Sequence, residues 1–249
     1  QATPERITLK LPHEHRITTV SSEGTSKYAI DLVFVVDVTG SMSPIIDEVK
    51  ELVNGFSERL ISTMSDEGKG LQDLWVRVIA YRDLGFEGPG AISASTFFEL
   101  PEDESKLKEY VDGLTPSGGG SEPESGLEAL WLAMRSPWRN QLRSRHIIVL
   151  LTDASAHPLG TYDFPHDRYQ DAIAAPRDVM EMKHHWGVRP DPGVMNAQAR
   201  RLILFAPETS PWNEIGERWE QTSWFVSQAG KGCMEAEWDV LLRSIAQSV

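Results

Sequence analysis

Cysteine is almost absent from this chain, and that absence excludes a good deal. Cys233 stands alone among 249 residues, so neither an intrachain disulfide framework nor a thiolate metal cluster can form. A reducing compartment, the cytoplasm, fits that usage. No apolar stretch approaches the ~20 residues that a membrane-spanning helix needs. Positive charge is also scarce: 24 bases face 37 acids, for a formal net charge of −13. Such a chain repels a phosphate backbone on average, and no dense Lys/Arg run makes a local exception. The nearest is "RNQLRSRH" (139–146), which reads as a solvated loop before a strand. Nucleic acid is therefore not an expected partner, whereas cations and basic partners are. The sequence opens on Gln1 rather than methionine, so an upstream segment is compatible with it.

What is present is an alternation of apolar runs and amphipathic segments, the pattern of a parallel sheet covered by helices. "YAIDLVFVV" (28–36) and "HIIVLLTD" (146–153) are β-branched and nearly continuous, as strands buried on both faces are. "LWVRVIAY" (74–81), "AISASTFFEL" (91–100), "RRLILFAP" (200–207) and "SWFVS" (223–227) supply further strands. Helices are predicted over 43–62, about 103–112, 122–134, a stretch ending near His185, and 235–249. In the first, Ser43 sits at the N-cap and Pro44 at the first helical position. Ile45, Val49, Leu52, Phe56 and Leu60 then recur as one stripe. Residues 1–27 form a polar extension with one strand-like piece, "RITLKL" (6–11), ahead of a domain over 28–249.

The two strongest strands each run straight into an aspartate, Asp37 and Asp153. In an open parallel sheet the carboxyl ends of the strands share one edge, and ligands bind where the strand order reverses. Adjacent strands at that reversal would bring both carboxylates to one place. Asp37, Thr39 and Ser41 alternate in "DVTGS" (37–41), so an extended loop turns all three side chains the same way. "SGGGS" (117–121) adds Ser121 from a third loop. This is a set of hard oxygen donors without sulfur or imidazole, suited to Mg²⁺, Mn²⁺ or Ca²⁺ rather than zinc. Protein groups leave part of such a shell open, and an outside carboxylate is its natural complement.

Each of these residues has a plainer reading. Ser121 precedes Glu122-Pro123-Glu124 and suits a helix cap with acids complementing the dipole. The aspartates suit strand-end turns. Asp83, in "AYRDLG", fits a rim position at the same edge, a turn or a salt bridge with Arg82. His157, His166, His184, His185 and the pair in "HEH" (13–15) lack zinc spacing. Trp212, Trp219 and Trp224 suit core packing. The connection 154–167 borders the ligand edge and suits a recognition role.

"DVTGS", the Ser121 loop "GGGSEPESGLEAL" and "LLTDA" (150–154) together resemble the metal-ion-dependent adhesion site of von Willebrand factor type A domains. The resemblance implies an α/β fold: an open, mostly parallel doubly wound sheet with one antiparallel edge strand and helices on both faces. It implies direct coordination by Thr39 and Ser41, and coordination through water by Asp37 and Asp153. Ser121, a departure from the family's threonine, would join directly in one of two conformations. That exchange would couple to movement of the last helix, 235–249. "GGGSEPE", "LLTDASAH" and "SQAGKG" further resemble intracellular bacterial members associated with tellurite resistance and related stress or defence systems.

The implied function is non-enzymatic: a divalent cation, Mg²⁺ first, joins this domain to an acidic side chain of a partner protein. The alternatives are a metal-dependent hydrolase of phosphoryl or acyl substrates and a structural subunit of an ATPase-linked assembly. Against the hydrolase, "DVTGS" lacks the second aspartate of the Asp-x-Asp phosphatase motif. No Walker loop is present, and "TGSMS" is not the Gly-x-Ser-x-Gly elbow.

Overall fold

The computed structural model describes residues 26–53, 55–119, 122–164, 169, 175–187, 195–228 and 238–249. The piece "RITLKL", His166 and Cys233 lie outside them. The sheet is built from β1 (Lys27–Asp37), β2 (Gly70–Tyr81), β3 (Ile92–Ala94), β4 (Phe98–Leu100), β5 (Ser144–Leu151), β6 (Arg200–Pro207) and β7 (Thr222–Ser227). Its order is β3-β2-β1-β5-β6-β7, with β4 also on β2. β1, β2, β5, β6 and β7 run parallel, and the two short edge pieces pair antiparallel to β2. The expected edge strand over 91–100 is thus interrupted, with Ser95 Oγ taking the Val78 N–H at the break (3.0 Å). The result is the mostly parallel α/β sheet that the residues predict.

Helices α1 (Ser43–Val53), α2 (Phe56–Asp66), α4 (Glu104–Asp112) and α8 (Trp238–Gln247) cover one face. The short α3 (Leu84–Glu87), with α5 (Gly126–Met134), α6 (Val179–Gly187) and α7 (Trp212–Arg218), covers the other. Alternate β1 residues divide between the two cores: Ile30, Leu32, Phe34 and Val36 face the first, Val33 and Val35 the second. Burial on both faces is the physical cause of the continuous apolar run.

Two helix expectations are corrected. The apolar stripe over 43–62 is real, but Gly55 adopts a left-handed φ of 72° and splits the segment into α1 and α2. The helix expected from 122 starts at Gly126, because Glu124 forms a parallel bridge with Ala156: Glu124 N–H donates to Ser155 O and His157 N–H to Glu124 O, both 2.9 Å. The expected last helix is present as α8, described from Trp238 to Gln247, while residues 235–237 lie outside the described residues. Trp212 and Trp219 are buried and Trp224 is half-buried, which fits core packing. No helix among the described residues is long and apolar enough to cross a membrane.

Candidate metal centre at the carboxyl edge of the sheet

β1 is flanked by β2 on one side and β5 on the other, so the reversal of strand order falls between β1 and β5. Register pairs Val36 with Leu151, which sets Asp37 beside Thr152 and Asp153. The loop after β1 is held by Val38 N–H to Tyr81 O, by Met42 N–H to Thr39 O, and by Ser117 N–H to Val38 O. The last of these brings the glycine loop against "DVTGS".

Four of the five predicted ligands therefore meet. Asp37 Oδ1 accepts the Thr39 N–H (2.9 Å) and hydroxyl (2.7 Å), and its Oδ2 accepts the Thr152 hydroxyl (2.8 Å). Ser41 Oγ donates to Asp153 Oδ1 at 3.0 Å. Asp37, Thr39 and Asp153 are buried while Ser41 is exposed, so the cluster opens to solvent on the serine side. Ser121, the fifth, lies outside the described residues. The helix cap suggested for it is displaced: α5 starts later, and Ser125 stands before it with its hydroxyl accepting the Leu84 N–H (2.9 Å).

Two neighbours were not read from the sequence in this role. Thr152 sits next to Asp153, and only the β1–β5 register shows that its hydroxyl serves Asp37. Glu124 is 3% exposed, and its Oε2 has no hydrogen-bond partner among the described residues. Gly119, at φ +85°, occupies the gap between it and Thr39. A Cβ there would come within 2.5 Å of Thr39 Cγ2 and 2.7 Å of Glu124 Oε1. Gly119→Ala should therefore cost about 1–2 kcal/mol through the left-handed backbone and this crowding. A denaturant melt checks it, and an unchanged midpoint would contradict the packing.

Burial raises Asp37 to about 6; the hydrogen bonds from Thr39 and Thr152 oppose that rise, and the charge of Asp153 adds to it. Burial likewise pushes Glu124 up to about 9, helped by Asp37, Asp83, Glu87 and Asp153. Asp83 sits at the rim: its Oδ1 takes the Gly85 N–H (2.8 Å) and lies 3.3 Å from His157 Nε2. Arg82 approaches Glu87 (3.6 Å) and donates to the carbonyls of Ser117 (2.9 Å) and Thr115 (2.8 Å). Excess negative charge at one spot, with hydroxyls interleaved, is an environment that a hard cation relieves. Among the described residues no three Asp, Glu, His or Cys side chains form a cage by themselves. A cation here would lean on the Thr39 and Ser41 hydroxyls.

Residues 31–163, more than half of the chain, match the von Willebrand factor A domain. The chain belongs to this family. Integrin beta-6 of Sus scrofa is 26% identical over 175 residues, 63% of this chain and 22% of the integrin. Alpha-protein kinase vwkA of Dictyostelium discoideum is 26% identical over 128 residues, 51% of this chain and 19% of the kinase. The von Willebrand factor A domain here thus spans about a fifth of the curated relatives it matches. Among solved structures, the pilus adhesin SpaC from Lactobacillus rhamnosus GG aligns over 90% of this chain and 32% of its own, at 10% identity and a TM-score of 0.48. Proximal thread matrix protein 1 from the mussel byssus aligns over 90% and 49%, at 14% identity and 0.48. Von Willebrand factor A domains are in general protein-interaction modules, and that coarse function applies here.

Proposed function

We propose that this domain binds a protein partner through a divalent cation at the carboxyl edge of its sheet. The observation that carries the reading is Asp37 and Glu124 buried beside Thr39, with no basic side chain bonded to either among the described residues. Thr39, Ser41, Asp37 and Asp153 would hold the ion, with Glu124 as the neighbouring carboxyl, and Mg²⁺ or Mn²⁺ suits an all-oxygen set. When bound, the cation supplies a vertex that accepts a carboxylate oxygen from the partner. The exposed Ser41 leaves that vertex reachable. The loop from Ala154 borders it and would set specificity.

A hydrolytic triad is not supported. Ser41 donates to Asp153, and His157 lies against Asp83. A reducing cytoplasm is proposed as the setting because it fits a chain with a single cysteine, and the bacterial stress or defence setting rests on sequence resemblance alone.

Saturating Mg²⁺ should stabilise the protein by about 2–3 kcal/mol when in ~100-fold excess over its dissociation constant. That corresponds to a melting shift of roughly 4–10 °C for a chain of this size. EDTA should reverse it, and partner capture should follow the same switch. A melting temperature and a partner affinity both indifferent to EDTA would overturn the proposal.

A further inference from the structure

The opposite, amino edge of the sheet carries several unusual features that the cation centre does not use. They centre on the turn that feeds β5, with Lys27 of β1, Gln72 of β2 and Arg145 of β5 beside it. Ser144 N–H closes it onto Gln141 O at 3.2 Å. Arg143 adopts φ 59°, the left-handed region where a residue with a Cβ is strained and where glycine or asparagine would sit more easily. Beside it, Leu142 is 89% exposed, well above the other large apolar side chains on the described surface. Lys27, at the start of β1, and Arg143 are both exposed, and neither has an ion pair among the described residues. With Gln72, Gln141 and Leu142 they line an open depression of about 400 Å³. Arg145 adds positive charge on this edge, its guanidinium 5.2 Å from the Tyr28 ring centroid. Asp73, next to Gln72, takes the Gln72 amide at 3.2 Å.

A strained backbone is retained where the side chains it presents have work to do. Here the strain directs an unpaired cation and an uncovered leucine to the same opening. The chain as a whole is strongly acidic, with a net charge of −13, and Asp37, Asp83, Glu87, Glu124 and Asp153 gather at the other edge. An acidic segment is therefore repelled by most of the surface and attracted here. We propose that this depression docks an acidic segment of a partner protein, in which Asp or Glu side chains meet Lys27 and Arg143 and an apolar side chain covers Leu142. The site is on the edge away from the cation centre, so the domain can hold two partners at once.

The test uses the full chain and a fluorescein-labelled peptide of a dozen residues, half of them glutamate and two of them leucine. Its control carries glutamine for every glutamate. Fluorescence anisotropy should show binding of the acidic peptide alone, weakening as salt is raised to physiological strength. EDTA should not change it. Arg143→Gly is the decisive variant: it relieves the left-handed backbone, so the protein should melt no lower than wild type while peptide affinity falls roughly tenfold. Leu142→Ser should lose affinity with an unchanged melt. Three results would overturn the proposal: no binding of the acidic peptide, binding indifferent to both variants, or equal binding of the glutamine control. Sedimentation showing Arg143-dependent dimers at low salt would assign the surface to a second copy instead. Arg143-dependent binding of phosphatidylserine vesicles without the peptide would assign it to a membrane. Either outcome would also overturn the proposal.

Discussion

Asp37→Asn should weaken Mn²⁺ binding at least 100-fold, about 2.8 kcal/mol at ~1.4 kcal/mol per tenfold, while the domain stays folded. Two separate effects combine in that number. Asp37 is fully buried and brings one of the formal charges in the cluster, so an isosteric neutral amide removes attraction where the local dielectric is low. Its Oδ1 also orders Thr39, accepting both N–H and hydroxyl, and the amide oxygen of asparagine can keep that pair of bonds. Alanine cannot. Asp37→Ala should lose the ion to the same degree and, in addition, take away the acceptor of the Thr39 N–H and hydroxyl, at ~1–3 kcal/mol for each buried group left unpaired. The comparison separates charge from scaffolding: both variants release Mn²⁺ in an electron-paramagnetic titration, and only alanine melts markedly lower. Equal Mn²⁺ affinity in wild type and Asp37→Asn would show that the carboxylate has no part in cation binding.

Glu128→Gln should flatten the pH dependence of stability. Glu128 lies on α5, is 2% exposed, and among the described residues neither side-chain oxygen has a hydrogen-bond partner. Burial raises its carboxyl from 4.5 to about 7, with the Asp83 charge adding to the rise. The folded state then holds a proton that the unfolded state has released. Stability is accordingly complete below the unfolded value, falls as pH rises between 4.5 and about 7, and levels off above that. Asp37 and Glu124 act in the same direction, so the wild type without cation should weaken steadily toward alkaline pH. Relative to wild type, Glu128→Gln should gain about 3 kcal/mol between acid and alkaline conditions, at ~1.4 kcal/mol per pKa unit. Chemical melts in EDTA at both ends of the range measure the difference. Parallel wild-type and variant profiles would mean that Glu128 carries its charge without penalty.

The sheet was legible in the sequence because its central strands are buried on both faces, which leaves an unbroken β-branched signature. Asp37 and Asp153 were legible for the same reason: Asp37 is the first polar residue after such a run, and Asp153 follows one directly after Thr152. Breaks decided by one residue's backbone were harder to read. The stripe through Ile45, Val49, Phe56 and Leu60 keeps helical spacing across Gly55, so periodicity alone runs straight through the interruption. α7 was missed because "WNEIGER" is short and mostly polar, with Trp212 and Ile215 its buried anchors.

Glu124 shows the deeper limit. Its neighbours in sequence suggest an acid at a helix start, where it would complement the dipole. Its actual position follows from backbone pairing with residues 155 and 157, more than thirty positions away, and that pairing removes it from the helix and buries it beside Thr39. No local pattern encodes a contact of that kind.

The central claim is that the cluster around Asp37 is a cation centre. Anomalous scattering from crystals grown with Mn²⁺ tests it most directly. The account predicts one strong peak among the side chains of Asp37, Thr39, Ser41 and Asp153, close to Glu124 and absent from crystals of Asp37→Asn. Manganese bound only elsewhere, or no ordered manganese at saturating concentration, would contradict it.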